Sequence, residues 1–145
     1  MQFVTGGAFN GKSSWVRAYN GINGESASWI SAYRKETLPL SLDHLDENVV
    51  VIEGVEQWIK ELLVEFEAEV VRGKWQALME NWQIWERAKQ GRMVILIGSD
   101  LTKGIVPIEA ENREWRDVTG RIFQDTVSIC DRVDLIWYGL NKRLK

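Results

Sequence analysis

Eight residues near the start of the chain constrain it most: Gly6-Gly7-Ala8-Phe9-Asn10-Gly11-Lys12-Ser13. A short β-prone run, Gln2–Thr5, precedes them, and Lys12–Tyr19 suits a helix that Asn20-Gly21 and Asn23-Gly24 close. Glycines let such a strand-to-helix turn curl until its backbone N–H groups point inward, and the helix start adds the positive end of its dipole. A lysine at that start reaches the outer phosphates of a nucleoside triphosphate, and the neighbouring hydroxyl can ligate Mg²⁺. The pattern G-x-x-x-x-G-K-[ST] is that of a phosphate-binding loop, met here in the strand–loop–helix setting that gives it meaning. Gly6 to Ser13, with Ser14, are therefore expected to cradle the phosphates of ATP or GTP, with Lys12 on the transferred charge and Ser13 on Mg²⁺. A glycine-rich turn carrying a surface lysine is the bland alternative.

Such a loop belongs to a layered α/β domain, and the remaining sequence supplies the layers. Asn48–Ile52 and Met93–Ile97 are nearly continuous apolar runs, typical of parallel strands buried on both faces. Val133–Tyr138 reads as a last strand, and Ala27–Tyr33 as a weaker one. Between them, Ile59, Leu62, Leu63, Phe66 and Val70 recur at helical spacing, with Glu61, Glu65 and Glu69 on another side. Gly73 is expected to break that helix. Trp75, Leu78, Met79, Trp82 and Trp85 then make a second stripe that Gly91 closes. Glu109 to about Cys130 reads as a final helix. The alternation predicts an α/β fold with a mostly parallel sheet, specifically a three-layer, RecA-like P-loop NTPase domain spanning residues 1–145.

Phosphoryl chemistry also needs an acid at a strand end near the metal. Glu53, at the end of the Val49–Ile52 run, is the first candidate for Mg²⁺ and catalysis, and Asp100 the second. A helix-start acid favoured by the macrodipole is the other reading of Glu53. On a helix starting near Arg113, Arg113, Arg116, Asp117, Gly120 and Gln124 share one side, while Trp115, Val118 and Ile122 share the opposite, buried side. An arginine pair suits phosphate binding, and a solvated face partnered by Asp117 is the alternative.

These residues resemble the bifunctional adenosylcobinamide kinase/adenosylcobinamide-phosphate guanylyltransferase family of cobalamin synthesis. That family opens with a strand and Gly-Gly-Ala-Arg-Ser-Gly-Lys-Ser, against Gly6 to Ser13 here. Its Asp-Cys-Leu-Thr-x-Trp block is similar to Glu53-Gly54-Val55-Glu56-Gln57-Trp58. Its Gly-Ile-Val-Pro loop and Arg-x-Phe-Arg-Asp-x-x-Gly-Arg helix resemble Gly104-Ile105-Val106-Pro107, Arg113-Glu114-Trp115-Arg116-Asp117 and Gly120-Arg121, with Gln124 beyond. Gly139-Leu140 with Lys145 looks like the family's closing strand and tail. The resemblance implies a kinase moving the γ-phosphoryl group of ATP or GTP, with Mg²⁺, to a hydroxyl of adenosylcobinamide. It implies Arg113 and Arg116 as substrate or nucleotide ligands, and a homo-oligomer, a trimer. The family's guanylylated histidine lies in a His-His-x-x-x-Arg-Pro segment that this chain lacks. The Asn-Glu-Val-Gly-Met-Gly loop is Ser99-Asp100-Leu101-Thr102-Lys103-Gly104 here, and Phe123 replaces an asparagine. Guanylyl transfer is accordingly not expected. A nucleotide-binding sensor or partner subunit derived from the family, and a kinase with another acceptor, are the rival readings.

The remaining features have plain readings. His44, the one histidine, stands between Asp43 and Leu45 as a surface or cap residue, and Cys130 is expected to be buried. A single cysteine suits a reducing compartment. A strand-like N-terminus and the lack of an apolar run of about 18 residues give no signal or membrane segment, so the expected location is the cytoplasm. A net charge of −3 without a basic block gives no reason for a nucleic-acid partner. Trp75, Trp82 and Trp85 are a large aromatic load for a domain of this size, packing the core or facing a subunit.

Overall fold

The computed structural model describes residues 1–24, 26–103 and 106–145. Among them, strands β1 (Gln2–Gly6), β2 (Ser28–Ser31), β3 (Val49–Glu53), β4 (Met93–Ser99), β5 (Arg132–Trp137) and β6 (Leu140–Arg143) form one sheet in the order β2-β3-β4-β1-β5-β6. All neighbours are parallel except β5 and β6, which form an antiparallel hairpin. Helix α1 is Lys12–Tyr19, and α2 (Val55–Glu65), α3 (Ala68–Arg87) and α4 (Ala110–Ile129) follow. The sheet is thus mostly parallel and the class α/β, as the alternation predicts. β6, short and exposed throughout, has no apolar pattern by which sequence could mark it as a separate strand.

Strand parity divides the core into two layers. Phe3, Val50, Ile52, Val94, Leu96 and Val133 pack with α2, α3 and α4. Val4, Val51, Ile95, Ile97 and Ile136 face the other way and pack with Val16 of α1 and with Ile22. Successive side chains point to opposite faces, so these alternating runs sort themselves between the two sides. Four tryptophans fill the larger layer: Trp58, Trp75, Trp82 and Trp85 are at most 4% exposed. Truncating one of them to alanine is expected to cost about 3–5 kcal/mol. Two of them also fasten the segment before β3. The Trp58 indole N–H donates to the Glu36 carbonyl at 3.0 Å, and that of Trp82 to the Pro39 carbonyl at 3.1 Å. Trp75, Trp82 and Trp85 are therefore interior residues of one chain, and the subunit-interface reading of that stripe loses them.

The helix break falls elsewhere than Gly73. Phe66 is extended (φ −134°, ψ 149°) and Glu67 caps α3 in a β conformation (φ −67°, ψ 156°), whereas α3 runs through Gly73. A lone glycine costs a helix only about 1 kcal/mol, which a buried stripe outweighs. The two-residue kink at 66–67 re-phases the chain. Val71 rather than Val70 enters the core, in line with Trp75, Leu78, Met79, Trp82 and Trp85, and Val70 is left 47% exposed.

Gly73 is exposed within α3, and an added Cβ would meet nothing within 4 Å. Gly73→Ala is expected to stabilise the fold by about 0.5–1 kcal/mol. Urea denaturation checks this: the midpoint rises at unchanged m-value, and a fall would mean that the glycine at this position is required.

Candidate functional site

The connection after β1 leads through α1 to the β2 side of the sheet, and that after β4 leads through α4 to the β5 side. β1 and β4 are adjacent, so a crevice opens between their carboxyl ends, the place where open α/β sheets bind ligands. A cleft of about 440 Å³ lies there, lined by Ala8 to Ser14, Tyr33, Glu53, Ile97 and Ser99. The phosphate-loop residues and the first acid candidate are thus brought together.

Gly6 makes the loop's entry feasible. Its φ is +146°, and a Cβ would stand 2.2 Å from the Ile136 carbonyl oxygen of β5, so no side chain fits. α1 begins at Lys12 after Gly11 in a left-handed conformation, and no side chain caps its first turn. Lys12 is only 8% exposed. Its ammonium donates to the Gly6 and Gly7 carbonyls at 3.2 and 2.8 Å. Burial lowers its pKa, and the charges of Glu56 and Glu53 oppose that shift.

Glu53 reaches the loop across an intervening strand. β4 separates β3 from β1, so the acid is not on the strand next to the loop. Parity solves the problem: Val51 faces the α1 layer, and Glu53, two residues on, faces it too, level with Ile97 of β4. Its carboxylate there accepts a hydrogen bond from the Ser13 hydroxyl and, at 2.9 Å, one from the Trp29 indole N–H. Burial alone would raise the Glu53 pKa, but the hydrogen bonds from Ser13, Trp29 and Ser31 with the nearby Arg34 charge leave it below the ordinary value. An ionised carboxylate beside a hydroxyl is a hard oxygen donor set of the kind Mg²⁺ takes, together with substrate phosphates. Among the described residues no cluster of three or more His, Cys, Asp or Glu could hold a metal without such help.

The same parity turns Asp100 away. Ile95, Ile97 and Ser99 share the α1 side, so Asp100 falls on the α4 side, where it lines a second cleft with Phe3, Thr5, Phe123 and Gln124. There its carboxylate accepts from the Thr102 N–H at 2.9 Å and the Thr102 hydroxyl at 2.6 Å. Arg113 and Arg116 are also outside the cleft at Ala8–Ser14. Arg113 donates to the carbonyls of Pro107 (3.2 Å) and Ile108, and Arg116 to that of Thr102. Both guanidinium groups brace the segment before α4. Of the Gly104–Pro107 block, Gly104 and Ile105 lie outside the described residues. His44 is exposed and does not line that cleft.

Three groups in the site went unread as chemistry. Glu56, 1% exposed, accepts from the Ser99 N–H at 2.9 Å and from the Tyr33 hydroxyl. Tyr33 lines the cleft, its hydroxyl 3.3 Å from that of Ser99. Burial first, then the charge of Glu56, raises its pKa, so Tyr33 is a firmly neutral hydrogen-bond donor. Trp29 orients Glu53. The available signal was Glu56 itself, a second acid on the first turn after Glu53, where the resembled block has threonine.

Glu53 also links stability to pH. A carboxylate whose folded pKa is depressed stabilises the fold above its unfolded pKa of about 4.3 and loses that contribution as pH falls through the folded value. The stability gap between wild type and Glu53→Gln is therefore expected to be widest above about pH 5 and to narrow progressively as pH falls below about 4.3. Denaturant titrations across that range measure it, and a pH-independent gap would contradict an ionised Glu53.

No individually curated protein matches the chain. A family model described as cobinamide kinase / cobinamide phosphate guanyltransferase matches residues 23–144, a span that begins after the phosphate loop. With most of its length matched, the chain belongs to the cobinamide kinase / cobinamide phosphate guanyltransferase family.

Proposed function

We propose that the protein is a kinase of the adenosylcobinamide type. It moves the γ-phosphoryl group of ATP or GTP to a hydroxyl, ideally that of the aminopropanol arm of adenosylcobinamide, from one RecA-like P-loop domain spanning residues 1–145. The observation that carries this reading is the meeting of Lys12, Ser13 and Glu53 in one cleft at the carboxyl ends of the central strands. The parallel order β2-β3-β4-β1-β5, with the Glu53 strand one removed from the loop strand, supports the fold assignment.

In the reaction the bond from the γ-phosphorus to the β–γ bridging oxygen breaks, and the acceptor oxygen forms the new bond. The loop N–H groups and the Lys12 ammonium hold the phosphates and counter the charge that develops on them. Ser13 and Glu53 would hold Mg²⁺, which supplies Lewis-acid neutralisation of the phosphate oxygens when bound. Where it does not serve the metal, Glu53, held ionised, would position the acceptor hydroxyl and take its proton. Tyr33 and the buried Glu56 fix the wall of the cleft at Ser99. Guanylyl transfer is not part of the proposal, because exposed His44 does not line the cleft. That no helix among the described residues is long and apolar enough to cross a membrane is compatible with a cytoplasmic enzyme.

Incubation with γ-labelled ATP or GTP, Mg²⁺ and adenosylcobinamide tests this. Label is expected on the cobinamide product, and Glu53→Gln is expected to cut turnover about a hundredfold while keeping the fold. Tight nucleotide binding without transfer would move the protein to the binding-subunit reading. Turnover of Glu53→Gln equal to wild type would reduce Glu53 to a structural acid.

A further inference from the structure

Among the described residues three non-glycine positions have positive φ: Phe9 (58°), Lys35 (60°) and Tyr138 (50°). Two of them are aromatic and lie almost wholly in solvent, Phe9 at 105% and Tyr138 at 81% exposure. A bulky side chain in the left-handed region is strained, and an exposed ring gains nothing from burial. Folding alone gives no reason for either choice. Tyr138 and Gly139 (φ 77°) form the two-residue turn between Trp137 and Leu140, which pair across the β5–β6 hairpin. With positive φ at both positions this is a type I′ turn, whose first place suits asparagine or aspartate, not tyrosine.

The turn is fastened to the phosphate loop by a single residue. The Asn10 side-chain oxygen accepts the Tyr138 N–H at 2.9 Å, and the Asn10 carbonyl accepts the Gly139 N–H at 2.9 Å. Phe9, next to Asn10, lines the phosphate cleft. The Tyr138 ring stacks on that of Trp137, centroids 5.6 Å apart and planes 23° from parallel, and Trp137 is itself 65% exposed. A flat aromatic surface is thus held in strain beside the loop, at a place where a better turn residue was available.

We propose that Trp137 and Tyr138, with Phe9, form the platform on which the nucleobase of the bound nucleotide stacks. The inference rests on the phosphate-loop reading and extends it from the phosphates to the base. Continuity favours this occupant: Asn10 belongs to the loop that takes the phosphates and also holds the turn that carries the rings. Stacking of a base on exposed aromatic rings needs a π-face and no hydrogen-bond readout, which is what these residues offer. A second copy of the chain is a poorer occupant, because Lys142 and Arg143 on β6 discourage strand addition along that edge.

The test compares Mg²⁺–ATP with Mg²⁺–tripolyphosphate, which has no base, by calorimetric titration of wild type and Tyr138→Asn. Asparagine suits the type I′ turn, so the variant is expected to melt no lower than wild type. ATP binding is expected to weaken at least fivefold, about the loss of one stacked base, while tripolyphosphate affinity stays within about twofold. Unchanged ATP affinity in the variant would overturn the platform. So would a parallel loss of both ligands, which would make Tyr138 a prop for the loop, or tripolyphosphate binding wild type as tightly as ATP does. If neither ligand bound wild type, the phosphate-loop reading would fail, and the platform with it.

Discussion

The hydroxyl of Ser13 and the carboxylate of Glu53 meet across the end of β4, and the site depends on that contact. One partner comes from the first turn of α1 and the other from the last residue of β3, two strands away in the sheet. They meet because residues 51 and 53 share the face that α1 covers, and because the parallel register sets Glu53 level with Ile97. A one-residue slip of β3 would send Glu53 to the opposite face and Ile52 into the cleft. The apolar runs that fix strand parity therefore also fix the position of the acid.

Around this contact the charges are arranged at some cost. Lys12, Glu53 and Glu56 are all largely or wholly withdrawn from water; Lys12 donates to the Gly6 and Gly7 carbonyls, Glu53 accepts from the Trp29 indole, and Glu56 accepts from the Ser99 N–H. Burial at this level is tolerable only where polar partners are supplied, and it strengthens the field that a phosphate would meet. The tryptophans contribute at two scales. Trp58 and Trp82 hold the segment that leads into β3, while Trp29 fixes the orientation of Glu53 itself.

Much of this was legible from residue order. The Gly6–Ser13 pattern, the bounds of α1 and the β-branched run before Glu53 each carry a local signal that the fold does not override. Other parts depended on tertiary relations. Gly73 is a weak breaker, and the stripe through Trp75 and Trp82 kept α3 continuous past it while the chain kinked at Phe66. Arg113 and Arg116 share a helix side as the spacing implies, yet they donate to backbone carbonyls rather than line the cleft at Lys12 and Glu53. Tyr33 and Glu56 are 23 residues apart in sequence, and only the packing of α2 against the short helical turn Ala32–Arg34 after β2 unites them. Glu53 stood ahead of Asp100 as a strand-end acid, and the sidedness of β3 and β4 is what separates the two in space.

Gly6 to Ser14 are proposed as a phosphate site rather than a plain glycine-rich turn. Calorimetric titration of Mg²⁺–ATP and Mg²⁺–GTP into wild type and Lys12→Ala separates the two. Wild type is expected to bind, and removal of a charge in direct contact with the phosphates is expected to weaken binding at least tenfold, about 1.4 kcal/mol. Equal affinity for the two proteins would contradict it.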